Sequence, residues 1–287
     1  MQASPTDAST FFKIFWSIRR AAASLLQGRM HCGMIDAPCW AQGSSPGDRM
    51  DTNMNNLIVN DEKNKVRVVD GVSYERYGVQ THVLDKSDDI CEVAQRYVGP
   101  NCEPNDVIVL SEKALGCTQG RAVKLTDIHP RPLARFLTKF VTKTPAGIGL
   151  GMPETMEMAL QEVGTPRILL AAAVGALGKL VGKRGWFYMV AGRKAASIDG
   201  PCSYTIPPYN EYVSLAPAEP AESAKKIAEA LGKNVGVAII DQNDLGGEIL
   251  GAYNLPYSNE TLIDILHDNP LGQASQRTPF GIVRKVQ

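Results

Sequence analysis

From residue 56 onward, short apolar runs alternate with polar, turn-forming stretches, and both secondary-structure periods can be read from them. Residues 57–59 and 66–69 are β-like segments around a polar turn, and residues 79–84 alternate as a further strand. With Ser87 or Asp88 as a cap, Ile90, Val93, Ala94 and Val98 recur at helical spacing, and Pro100 stops the helix. Residues 106–110 form a strongly β apolar run, residues 121–125 a shorter strand, and residues 132–141 a helix after the His129-Pro130 turn. A Gly-rich stretch at 146–151 precedes a helix over 153–163 and an Ala- and Gly-rich segment over 167–182. Residues 186–190 read as a strand, 221–231 as a helix started by Pro220, 236–240 as a buried strand, 262–266 as part of a helix, and 280–283 as a last strand.

Strands and helices mix without a regular βαβ period. The expectation is an α+β fold with a mixed sheet and two subdomains. No repeat of 20–50 residues is visible. Residues 1–53 stand apart: a stretch rich in apolar residues carries Lys13, Arg19 and Arg20, and no acid occurs between Asp7 and Asp36. They are expected to be an N-terminal extension, disordered or not translated, with a low-complexity break at 43–47, leaving 54–287 as the folded domain.

Composition narrows the function classes. Thirty basic residues balance thirty acidic ones, which argues against a dedicated nucleic-acid binder. The six cysteines, Cys32, Cys39, Cys91, Cys102, Cys117 and Cys202, form no CxxC pair, a pattern suited to a reducing cytoplasm. The longest apolar run ends at Lys179, well short of the roughly 20 residues a membrane span requires.

Several stretches are open to a chemical reading. The run Gly178–Lys183 approximates a phosphate loop but has the wrong spacing and lacks the Ser or Thr for magnesium. Cys117 and Cys202 are candidate nucleophiles with His82, His129 or His267 as bases, although free cysteines are commonly small core residues. Asp199 and Asp241 each follow an apolar step next to turn-forming residues. Such an aspartate either caps a turn or holds a hard cation at a strand end, and both readings stay open on spacing alone.

In order along the chain come 106–113 (Asp-Val-Ile-Val-Leu-Ser-Glu-Lys), Gln119-Gly120-Arg121, Asp199-Gly200-Pro201, Pro217-Ala218-Glu219-Pro220, Asp241-Gln242 and the 271–276 loop. In this layout the chain resembles the coenzyme F420-0:L-glutamate ligase (gamma-glutamyl ligase) family, over about Tyr77 to Arg284. The resemblance implies GTP- and divalent-metal-dependent amide formation through an acyl phosphate, joining L-glutamate or another amine to a small-molecule acid. It implies magnesium or manganese on Asp199, Asp241 and Gln242. It also implies nucleotide contacts from Lys113, Gly272, Gln273, Ser275 and Gln276, and an interlocked homodimer. It names no catalytic residue. The segment 78–89 stands where the family has its opening nucleotide-contacting loop. Four places depart from the family pattern: Cys202 and Gln242 replace its Asn and Thr, and Gln119 and Gln276 replace two carboxylates with carboxamides. They point to one retained metal site with an altered substrate or weaker catalysis, and leave a same-fold ligase or a non-catalytic nucleotide- or metal-binding homologue as alternatives.

Overall fold

The structure, a computed structural model, describes residues 56–60, 63–141, 148–183, 185–202, 205–243, 246–272 and 276–286. The extension expected over residues 1–53 lies outside them. A seven-stranded mixed sheet organises the chain, with strands β1 (Leu57–Ile58), β2 (Val66–Val69), β3 (Val72–Val79), β4 (Val107–Ser111), β7 (Gly236–Asn243), β8 (Gly246–Tyr253) and β9 (Phe280–Lys285). Their order is β1-β3-β9-β4-β7-β8, with β2 also paired to β3. Only β4 and β7 run parallel; the other pairs are antiparallel. A second, two-stranded sheet joins β5 (Ala122–Lys124) to β6 (Tyr212–Ser214). The fold is therefore α+β with a mixed sheet.

The apolar run of β4 explains the layering. Ile108 and Leu110 pack on one face with Val237, Ile239 and Phe280, beneath helix α8 (Pro220–Leu231) and the turn begun by α1 (Ile90–Val93). Val107 and Val109 pack on the other with Ala238, Ile240 and helix α9 (Asn259–Leu266). A strand covered on both faces has no polar position to spare, so it reads as a continuous hydrophobic run. A third core gathers helices α3 (Pro132–Leu137), α4 (Pro153–Glu162), α5 (Thr165–Leu180), α6 (Trp186–Ala191) and α7 (Arg193–Ala196) around the small sheet. The remaining helix, α2 (Glu112–Thr118), follows β4 directly. Among the described residues no single helix is long and apolar enough to cross a membrane.

Three expectations are corrected. Residues 186–190 are helix α6, not a strand, despite their aromatic and β-branched content. Gly175 and Gly178 on α5 let Phe187 and Trp186 approach so closely that an added Cβ would lie 3.0 Å from either side chain. Helix packing overrides the local propensity. The strand expected at 79–84 instead occupies Val72–Val79, where pairing with β2 and β9 satisfies its backbone, and 80–84 form a loop. The first helix is capped by Asp89, whose carboxylate accepts from the Cys91 and Glu92 amides at 2.8 and 3.0 Å, rather than by Ser87 or Asp88.

Candidate active site

Parallel pairing of β4 with β7 brings their C-terminal ends to one sheet edge. Ser111 is in register with Ile240, so Glu112, the first residue beyond β4, and Asp241, still within β7, follow side by side. Strand β9 enters at the same edge: Phe280 pairs with Leu110, and the Ser111 amide donates to the Pro279 carbonyl at 2.9 Å. The loop preceding β9 therefore arrives where Glu112 and Asp241 emerge. In the β7–β8 ladder Asp241 faces Glu248, with a register shift between Ile239 and Ile240 that re-aims the strand end.

The helical layer supplies the opposing wall. Asp199 follows the short helix α7, not a strand as its apolar approach suggested. Its backbone is fixed by a reciprocal pair of hydrogen bonds with Ser214, at 3.0 and 2.9 Å, because β6 offers an unpaired edge there. That anchor leaves the carboxylate half-exposed, 2.7 Å from the Lys113 ammonium. Arg193, at the start of α7, reaches Glu248 at 2.8 Å. Three carboxylates, Glu112, Asp199 and Asp241, and two cations, Lys113 and Arg193, thus feel one another's charge.

The electrostatics are those of a site short of positive charge. Glu112 is 6% exposed, and its Oε2 is buried without a hydrogen-bond partner among the described residues. Burial, then the Asp241 charge, pushes its carboxyl up from 4.5 to about 8. Asp241 is solvent-accessible, yet partial desolvation and the Asp199 charge raise it too, against the pull of Lys113 and Arg193. Lys113 is held protonated: desolvation opposes its charge, but Asp199 outweighs it. Between pH 4.5 and about 8 the unfolded chain ionises Glu112 while the folded chain keeps the proton, so Glu112 lowers stability as pH rises through that window. Glu112→Gln is expected to flatten that decline, measured as denaturation midpoint against pH. An unchanged slope would remove Glu112 from the cluster's charge balance.

Could this set hold a divalent cation? Among the described residues no group of three or more His, Cys, Asp or Glu side chains is arranged as a metal cage. Magnesium beside nucleotide phosphates commonly takes only one or two carboxylates, the phosphates and water completing its shell. The unsatisfied Glu112 oxygen and the crowded carboxylates fit that partial donor set.

The other sequence-named residues divide. The Gln242 carboxamide lies where a side chain on its ladder partner Gly247 would stand. The Gln276 carboxamide likewise lies 2.7 Å from where a Cβ on Gly272 would be, and Gly272 has φ 82°. The Gln276 carbonyl accepts from Gln80, pinning the loop to 80–81. Gln273 and Ser275 lie outside the described residues. Within the opening loop, Asp85 accepts from Ser87, Asp88 from the Asp85 amide, and the Leu84 carbonyl from the Tyr209 hydroxyl. Gln119 has a structural reason to be a carboxamide: it accepts from the Ala218 amide at 2.7 Å and donates to the Ala218 carbonyl at 3.0 Å, and a carboxylate could only accept. The nucleophile reading is not supported at Cys117 with His82 as base. Burial pushes the Cys117 thiol up to about 11, and both His82 nitrogens are engaged, by Tyr97 at 3.0 Å and Asp88 at 2.9 Å. Glu112, Arg193 and Glu248 escape the sequence reading. Glu112 follows the apolar run 107–110 almost as directly as Asp241 follows its own, so the same strand-end criterion would have found it.

The fold and site together define an α+β protein with acidic and basic side chains converging at the C-terminal ends of two parallel strands. A family model described as F420-0:Gamma-glutamyl ligase matches residues 78–250, which span β4, α7 and β7 and reach into β8. The chain belongs to this ligase family. No curated protein matches it.

Proposed function

We propose that the chain is a nucleotide-dependent ligase that joins a small-molecule acid to an amine, L-glutamate in the family's pattern, with GTP and magnesium or manganese. The observation that carries this reading is the convergence of Glu112, Asp199 and Asp241 with Lys113 inside the family-matched region. A carboxylate oxygen of the acid attacks the terminal phosphorus, the bridging P–O bond breaks, and the nucleoside diphosphate leaves. The amine nitrogen then attacks the acyl carbon, the C–N bond forms, phosphate leaves, and the nitrogen loses a proton. Lys113 holds a phosphate oxygen as a point charge. Asp199 and Asp241, beside the buried Glu112, would hold the divalent cation, which when bound would offset charge building on the phosphates. Gly272 and Gln276 border the nucleotide, as Gln273 and Ser275 do in the family's pattern.

A specific observation favours a second substrate pair over the family's own. The Gln119 carboxamide is committed to the Ala218 backbone, and Asp199 is followed by Gly200-Pro201-Cys202, so the polar residues at these places differ from the family's pattern. Exposed Leu170, Leu177 and Leu180 on α5 and exposed Met189 on α6 support the homodimer that the family pattern implies. The test is thermal stabilisation of the chain by GTP and ATP with and without manganese, followed by phosphate release with candidate acids and amines. Metal-dependent stabilisation by GTP, with release that needs both acid and amine, is expected. Stabilisation without any release would leave a non-catalytic binder. No stabilisation would overturn the reading.

A further inference from the structure

We infer that Arg193 is a second oxyanion-gripping cation of the site, directed at the polyphosphate of the nucleotide and held in reserve by Glu248. This inference rests on the ligase reading above. Its backbone is well fixed. Gly192 starts helix α7 at φ 84°, Ala195 is buried, the Ser197 amide closes the turn onto the Arg193 carbonyl at 2.9 Å, and Asp199 is tied to Ser214. The side chain, by contrast, is 51% exposed and makes its ion pair through Nη2 with a Glu248 that is 50% exposed. A guanidinium has five N–H donors in a planar fork suited to phosphate and carboxylate, and this contact is made by one nitrogen.

The position of the pair matters more than its strength. Glu248 stands opposite Asp241 in the β7–β8 ladder, so Arg193 reaches from the helical wall to β8, beside the strand that carries Asp241. An exposed ion pair contributes about 0–1 kcal/mol. A phosphate arriving with its cation can therefore displace Glu248 at small cost and take the fork. Lys113 is arranged in parallel, half-exposed and engaged with Asp199. Each cation is thus paired with a carboxylate, which limits repulsion among the cations while keeping both within the site.

A merely structural strap and a competing counter-ion give opposite signs. If the pair only ties helix to sheet, removing either partner weakens the fold and ligand binding alike. If Glu248 competes with phosphate, Glu248→Gln tightens binding and Arg193→Gln weakens it. The experiment uses the full chain with manganese, titrated with GTP and separately with tripolyphosphate, which has no base or sugar. Expected are a loss of about tenfold or more for Arg193→Gln with both probes, a partial loss for Arg193→Lys, a gain for Glu248→Gln, and unshifted melting of the ligand-free variants. A loss with GTP but not with tripolyphosphate would overturn the phosphate assignment. Equal weakening by Arg193→Gln and Glu248→Gln would overturn the counter-ion role. Unchanged binding by Arg193→Gln, while the parent chain binds, would overturn this inference alone. Absence of binding by the parent chain would overturn the ligase reading and this inference with it.

Discussion

Asp241→Asn is expected to abolish metal-dependent stabilisation by GTP while leaving the ligand-free chain folded. Asp241 lies near the C-terminal end of β7 and is solvent-accessible, so its charge contributes little to holding the fold. Substitutions at such places typically change stability by only about 0.5 kcal/mol either way. For binding the charge is central. In the proposed reading it is one of the carboxylates that would hold the divalent cation. Removing groups merely adjacent to metal ligands typically costs about 10- to 100-fold in metal affinity. A loss of at least about a hundredfold in apparent manganese affinity is therefore the expected outcome. The measurement is a manganese titration of the melting temperature at fixed GTP. A variant that responds as the parent does would show that the cation, if bound, sits elsewhere.

Phe280→Ala should produce the largest loss of stability. Phe280 is fully buried and sits in β9, paired with Val79 on one side and Leu110 on the other. It belongs to the core that also holds Ile108, Leu110, Ile227 and Ile239. Truncating a buried phenylalanine costs about 3–5 kcal/mol, the lost transfer energy plus a cavity that strands on both sides cannot close. Domains typically hold only about 5–15 kcal/mol in total, so the variant should unfold at a much lower denaturant concentration. Because β9 also positions Pro279 against Ser111, nucleotide stabilisation should fall with it. A cost under about 1 kcal/mol would contradict the central placement of this strand.

The parts of this fold legible in the sequence are those where one local signal dominates. Residues 107–110 read as a strand because both faces are buried, and 220–231 as a helix because Pro220 starts an amphipathic period. Strand β8 leaves no such mark. Its glycines weaken the β signal and answer to neighbours outside the strand: the Gln242 side chain at Gly247 and the Pro220–Ala221 backbone at Gly251. In the site, Asp199 and Lys113 could each be named from their blocks. That they form an ion pair across 86 positions depends on the Ser214 anchor, which no spacing in the sequence encodes. The Arg193–Glu248 pair is equally nonlocal.

The central position of β9 has a consequence for how the chain reaches its native state. During synthesis β3 and β4 emerge long before the strand that lies between them. Until residues 280–285 are available, each of those strands presents an unpaired edge, and the sheet exists only as two separate halves, β1-β2-β3 and β4-β7-β8. Pairings so distant in sequence are slow to form, and open edges invite association with other chains in the meantime. The candidate site, which depends on the register of β9 against β4, is therefore among the last features to form. A nascent or truncated chain without β9 would present exposed strands where the finished protein presents a site.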